Sequence, residues 1–152
     1  MYTVEVSPVV STSPAYTSGD AVGAKVRIPV GALKGSKLVS VVVVDKDNQK
    51  ANIQGFFFDA DLTTGGTDNT TYTVAAGDVS KAVGYFSIAT ADYVTIGGLA
   101  VGAASVPFTN NVQPVMQSAE TDDGDLWLQM VTTSTPTYST TSSLSIILGF
   151  EN

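Results

Sequence analysis

IQGFFFDAD (residues 53–61) sets three phenylalanines directly before two carboxylates spaced one residue apart. In a β-strand, successive side chains point to opposite faces, so Phe56 and Phe58 would face one way and Phe57 the other. Both faces of this strand would then carry large apolar rings that must be kept from water. The stretch therefore predicts a core strand covered on both sides, with Asp59 and Asp61 at its polar end.

KLVSVVVVDKD (residues 37–47) has the same property, because Val41 and Val43 alternate with Val42 and Val44. A strand that is apolar on both faces needs a layer above it and a layer below it. Two such strands predict two sheets packed face to face, with a loop or another subunit covering the outer face of at least one sheet.

Period-two patterns continue along most of the chain. SLSIILGF (residues 143–150) places its large apolar side chains on one face, and AVGAKVRIPV (residues 21–30) does so up to Pro29, which lacks an N–H donor and predicts a sheet edge or a strand end. Further strand candidates are AVGYFSIA (82–89), YVTIGGLAV (93–101) and DLWLQMVT (125–132). We predict eight to ten strands in an all-β, two-sheet sandwich of jelly-roll type.

Helix signals are nearly absent. The best one is AAGDVSKAV (residues 75–83), in which Asp78 is the candidate N-cap of a single turn. We therefore expect at most one short helical turn.

The length of 152 residues fits one domain, which we place at residues 19–152. Residues 1–18 contain Pro8, Pro14 and several serines and threonines, a composition that favours an extended N-terminal arm. Such an arm can act as a strap on a neighbouring subunit. The candidate partner contacts are its larger apolar side chains, Tyr2, Val4, Val6, Val9, Val10 and Tyr16.

The composition argues against catalysis, because the chain has no histidine and no cysteine to activate Ser80 or any other hydroxyl. Charged residues make up 14% of the chain and the net charge is −7, which opposes nucleic-acid binding. The longest nearly unbroken apolar run, LVSVVVV (residues 38–44), is far shorter than the roughly 20 residues of a membrane span. We expect a soluble chain without a membrane or nucleic-acid partner.

Three patterns in the sequence are candidate ligand sites. Asp59, Asp61, Asp68 and Asn69 offer oxygen ligands for calcium, but their spacing lacks the terminal glutamate of an EF-hand loop. GGLAVG (residues 97–102) lacks the Lys-Ser/Thr of a phosphate loop and is more simply a strand with a bulge or a close backbone contact. Trp127 and the six tyrosines could stack on sugars, but Trp127 lies in an alternating strand. We assign no catalytic, cofactor or metal residue.

Three stretches, taken together in this order and spacing, resemble a family of small virion proteins of tailed bacteriophages, described as structural or head-decoration (cement) proteins. They are LVSVVVVDKDNQKANIQGFFFDAD (38–61), AAGDVSKAVGYFSIATADY (75–93) and TSTPTYSTTSSLSIILGF (133–150). The similarity covers roughly residues 19–150 and leaves the N-terminal arm outside.

The resemblance implies a virion structural protein with no catalytic or metal residues, and the acidity of the chain favours the outer surface of the head over its DNA-filled interior. Its partner would be the major capsid protein, and it would act as a dimer or trimer made in the host cytoplasm. Two alternatives remain open at this point. One is a receptor- or glycan-binding module of a tail or head fibre, and the other is a polysaccharide-degrading enzyme.

Overall fold

Two antiparallel β-sheets make up the computed structural model, which describes residues 2–29, 37–105 and 126–151. Nine strands lie within these residues, so the predicted all-β two-sheet sandwich is confirmed. The helices in the described chain are one α-turn, α1 (Ala76–Val79), and one 3-10 turn at Thr90–Asp92. The second of these turns was not predicted. No described helix is long and apolar enough to cross a membrane.

The larger sheet has five strands. In spatial order they are β1 (Tyr2–Val6), β9 (Leu144–Glu151), β3 (Lys37–Asp45), β7 (Leu99–Ser105) and β6 (Tyr93–Ile96). The valine-rich strand β3 is the central strand of this sheet. β6 and β7 are joined by Gly97 and Gly98, both at positive φ, which is the backbone that a tight two-residue hairpin requires.

The smaller sheet has four strands. In spatial order they are β2 (Val26–Ile28), β8 (Leu126–Thr132), β4 (Ile53–Phe58) and β5 (Ala82–Ile88). β2 is an edge strand that ends directly before Pro29, so the prediction from this proline is confirmed.

The core fills the space between the two sheets. Leu144, Ile146, Leu148 and Phe150 of β9 are buried on one side, as their alternation predicted. From the other sheet, Phe57 packs against Phe86 with ring centroids 5.9 Å apart.

The first eighteen residues differ from the predicted free arm. Tyr2–Val6 forms strand β1, which pairs with β9 of the same chain from Tyr2 opposite Phe150 to Val6 opposite Ile146. Further along, the Val10 N–H donates to the carbonyl of Thr141, and the Tyr16 N–H donates to that of Pro136. An extended conformation was predicted, but a separate arm was not the right interpretation. The segment pairs with β9 and completes the sandwich of its own chain.

Candidate functional site

The predicted partner contacts in residues 1–18 separate into two groups. Val6, Val10 and Tyr16 are buried in the core, so their assignment to a partner interface is wrong: the core of their own chain already covers them. Val4 is half-buried against the same core. Tyr2 and Val9 are 53% and 71% exposed, and they are the members of the set that a neighbouring subunit could still reach.

The outward face of the five-stranded sheet is a continuous apolar surface. Cross-strand partners lie on the same face, and the register pairs Val44 with Val101, Val101 with Val94, and Leu99 with Ile96. On the other side of β3, Val42 pairs with Ile147. We call this set the outer apolar face: Val42, Val44, Val94, Ile96, Leu99, Val101 and Ile147.

Exposure increases across the outer apolar face towards β6. Val94, Ile96 and Leu99 are 65%, 61% and 42% exposed, while the members on β3 and β9 are half-buried. The prediction that β3 is covered on both faces is therefore only partly met by the described residues: Val41 and Val43 are fully buried, but Val42 and Val44 are not.

Charge on this side of the sheet lies at the border. Among the described strand residues, the outward charged side chains are Glu5 on the edge strand β1 and the cross-strand pair Lys37 and Glu151 at the strand ends. Scattered apolar side chains are normal on a protein surface, whereas a contiguous patch of them marks a surface that binds something.

The outward face of the four-stranded sheet differs from the outer apolar face, because residues 59–81 of the same chain pack across it. We call this segment the cover loop. Gln129 of β8 is fully buried beneath it, and its side-chain oxygen accepts the Gly66 N–H at 2.9 Å. The loop is also joined to residues 19–21, since the Tyr72 N–H donates to the Gly19 carbonyl and the Ala21 N–H to the Thr70 carbonyl.

Asp61 and Asp68 of the cover loop form ion pairs or hydrogen bonds with other parts of the chain. The Asp61 carboxylate pairs with the ammonium of Lys25, which also donates to the Leu62 carbonyl at 2.6 Å. Asp68 accepts hydrogen bonds from the Tyr16 hydroxyl and the Gly23 N–H, both at 2.6 Å. The Asn69 side chain donates to the Pro14 carbonyl.

These contacts also show how the oxygen ligands considered for calcium are arranged. Asp59, Asp61 and Asp68 do not form one cluster, and the described residues contain no group of three acids that could hold a metal ion. The carboxylates of Asp61 and Asp68 instead fix the cover loop to Lys25 and to the N-terminal segment.

Asp78 lies inside the helical turn and does not cap it, which corrects the predicted role. Helix α1 starts at Ala76, and its N-cap Ala75 makes no side-chain capping bond. The Asp78 carboxylate turns to the ammonium of Lys81 at 2.8 Å and to the backbone N–H groups of Thr63 and Thr64. These bonds, with Lys81 the largest cause, hold the pKa of Asp78 well below its usual range.

Trp127 does not form an open stacking platform. The Lys25 ammonium lies 5.1 Å from the centroid of its ring, so one face of the indole is covered by a cation. The ring stands on the outward side of the four-stranded sheet, beside the point where Lys25 contacts the cover loop.

A pocket opens between the cover loop and the four-stranded sheet. It has a volume of about 410 Å³ and is walled by Phe56 and Phe58 on the sheet and by Tyr72, Val74 and Val79 on the loop. The three phenylalanines are divided between the two faces as predicted, and the two on the outward face, Phe56 and Phe58, line this pocket. Alternation shows which way a ring points; it does not show how closely a loop from elsewhere in the chain packs on it.

GGLAVG forms the β6–β7 hairpin and the start of β7. At Gly102, an added Cβ would lie 2.9 Å from Ile88 Cγ2 and 3.0 Å from the Tyr93 ring, so the predicted close contact is confirmed there. No helix follows these glycines in the described chain.

No protein-family model matches the chain, and no curated protein matches it. The fold and its surfaces define the class: an all-β, two-sheet sandwich whose described residues include an exposed apolar area on one sheet face.

Proposed function

We propose that this chain is a non-enzymatic structural protein that docks onto other protein subunits through the outer apolar face. The observation that carries the proposal is the contiguous exposure of Val94, Ile96 and Leu99, backed by the half-buried valines of β3 and β7. Burying such a face removes apolar area from water, which is the main favourable term in protein association. Its charge-free centre and charged border match the usual anatomy of protein interfaces.

The sequence resemblance supplies the partner in this proposal. The chain is a decoration protein of a tailed-phage head and binds the major capsid protein on the outside of the shell after synthesis in the host cytoplasm. Two properties of the sequence support this placement. The absence of cysteine allows folding without disulfides, and a net charge of −7 disfavours the DNA-filled interior.

Self-association is part of the same proposal. β6 ends the five-stranded sheet, so one side of its backbone has no strand partner in the described chain. Of the four edge strands in the described chain, β1 and β2 contain Glu5 and Arg27, charges that discourage further pairing, whereas β5 and β6 contain none. We choose β6 because it borders the outer apolar face. A dimer or trimer formed through β6 would extend the apolar surface that each assembly offers to the shell.

Many copies of the chain on one shell give strong attachment overall. Each contact of a specific interface buries about 1,000 Å² or more. Many symmetry-related copies bound to one shell act together, so the shell is clamped even when each single contact is modest.

Co-sedimentation with empty shells of the cognate major capsid protein tests the proposal. The wild-type chain should pellet with the shells, and Ile96→Lys should remain in the supernatant because it sets an ammonium in the outer apolar face. Val79→Lys is the matched control, since Val79 is also apolar and 54% exposed but belongs to the cover loop. Failure of the wild-type chain to pellet, or equal loss in both variants, would contradict the proposal.

A further inference from the structure

The pocket beneath the cover loop has the dimensions and lining of a small-molecule site. Binding pockets for small ligands span about 300–1,000 Å³ and are mostly apolar with a few polar groups. The volume here is about 410 Å³, and the lining residues include no charged side chain. The site lies on the four-stranded sheet, whereas the outer apolar face belongs to the five-stranded sheet.

The walls of the pocket are held in place before any ligand binds. The floor is strand β4, which is hydrogen-bonded to β5 and β8 on its two sides. The loop wall is fixed by Asp78 with Lys81 near its end and by Asp68 with Tyr16 nearer its middle. A preformed site loses little conformational entropy on binding.

The Tyr72 hydroxyl is the candidate polar contact for a ligand in this pocket. Tyr72 lines the pocket, and its hydroxyl oxygen is buried without a hydrogen-bond partner in the part of the chain that the structure describes. Burial, and then the charge of Asp78, raise the pKa of Tyr72, so the hydroxyl keeps its proton and can donate it. A buried donor without an acceptor is costly, and an acceptor on a bound molecule would satisfy it once the Tyr72 side chain turns towards the pocket.

Water fills such a pocket poorly. The space is large enough for several water molecules, but each needs two to four polar partners, and the apolar walls supply few. An apolar molecule that displaces such water gains affinity. The lack of a charged side chain in the lining argues against an ionic ligand, because no countercharge would repay its loss of hydration.

We propose that this pocket binds a neutral, largely apolar small molecule that carries a hydrogen-bond acceptor for the Tyr72 hydroxyl. Phe56 and Phe58 contact its apolar body from the sheet, and Val74 and Val79 contact it from the loop. This binding activity goes beyond docking to a shell and does not depend on it.

The test uses the neutral dye Prodan, whose carbonyl oxygen is a hydrogen-bond acceptor, and the full chain, with binding followed by dye fluorescence. The wild-type chain should bind the dye saturably at one site. Val79→Lys places an ammonium at the apolar rim, and Ala82→Phe fills space at the same pocket from β5, so each should weaken binding by about tenfold or more. Circular dichroism and melting temperature establish that each variant is folded.

Val94→Lys is the matched control, because Val94 is an exposed valine on the opposite sheet. Its dye affinity should equal that of the wild-type chain. Non-saturable binding, or loss of binding in Val94→Lys but not in the two pocket variants, would overturn the proposal. Loss of shell co-sedimentation in Ile96→Lys with dye binding intact would leave the two activities separate, as proposed.

Discussion

Gly55 lies directly beneath the ring of Phe86, its cross-strand partner on β5. A Cβ at position 55 would overlap the Phe86 ring, which is itself packed on Phe57. The glycine is therefore what lets two phenylalanine rings from neighbouring strands share one layer of the core.

Gly55→Ala should destabilise the fold, because the Phe86 ring must move within a packed core. Overpacking of this kind costs about 1–3 kcal/mol of unfolding free energy. Urea unfolding measures the change. Gly77→Ala is the control, since nothing lies within 4 Å of an added Cβ there, and it should stay within about 0.5 kcal/mol of wild type. Equal effects at both positions would contradict the packing described for Phe86.

Asp68→Ala should loosen the N-terminal segment from the cover loop. The substitution removes the acceptor of the Tyr16 hydroxyl, the Ser11 hydroxyl and the Gly23 N–H. A buried donor left without an acceptor costs about 1–3 kcal/mol, and urea unfolding should show a loss of at least that size. Asp59→Ala, at an exposed acid of the same loop, should change the unfolding free energy little. The interpretation fails if Asp68→Ala is as stable as wild type.

Asp78 should contribute to acid unfolding. Its pKa is depressed in the folded chain from an ordinary value of 3.8, so its contribution is fully present above about pH 4 and is lost as the pH falls towards the folded pKa. Thermal melts from pH 7 to pH 2 should therefore show a shallower acid decline for Asp78→Asn than for wild type. Unchanged acid sensitivity in Asp78→Asn would contradict the role of the Lys81 and Thr63 contacts.

Asp45 should act in the opposite direction. It is fully buried, and desolvation raises its pKa above 3.8, although the backbone N–H groups of Lys50 and Asp47 donate hydrogen bonds to its carboxyl. Its carboxyl binds a proton more readily in the folded chain than in the unfolded one, so its stability contribution declines as the pH rises above about 4. NMR titration of the Asp45 carboxyl carbon checks this, and a midpoint below 3.8 would contradict it.

Val94→Lys should reduce self-association through β6. The wild-type sedimentation coefficient should rise with protein concentration, and the variant should sediment as a monomer because the new charge protects the edge strand. Val79→Lys should behave like wild type, since it lies on the cover loop. A wild-type chain that sediments as a monomer at every concentration would remove self-association from the proposal.

Much of the sandwich could be predicted from local sequence. Leu144, Ile146, Leu148 and Phe150 alternate in a way that only a strand satisfies, and Pro29 predicted the edge of a sheet. These predictions succeed because period-two burial and the missing N–H of proline are properties of a few adjacent residues.

The pocket and the outer apolar face could not be predicted from local sequence, because residues far apart in the chain form them. Tyr16 is buried in the core, and its hydroxyl donates a hydrogen bond to Asp68, far along the sequence; no local pattern indicates that contact. The pocket likewise needs Val79 of the loop opposite Phe56 of β4. The outer apolar face was foreseen only as a strand with two apolar sides, because the register that brings Val94 beside Val101 is a long-range property of the sheet.

A cryo-electron microscopy map of the phage particle proposed to carry this chain tests the central claim most directly. We predict density for the sandwich on the outside of the head, with Val94, Ile96 and Leu99 against protein and the cover loop turned away from that contact. A map in which these three side chains face solvent, or in which the chain is absent from the head, would contradict the account.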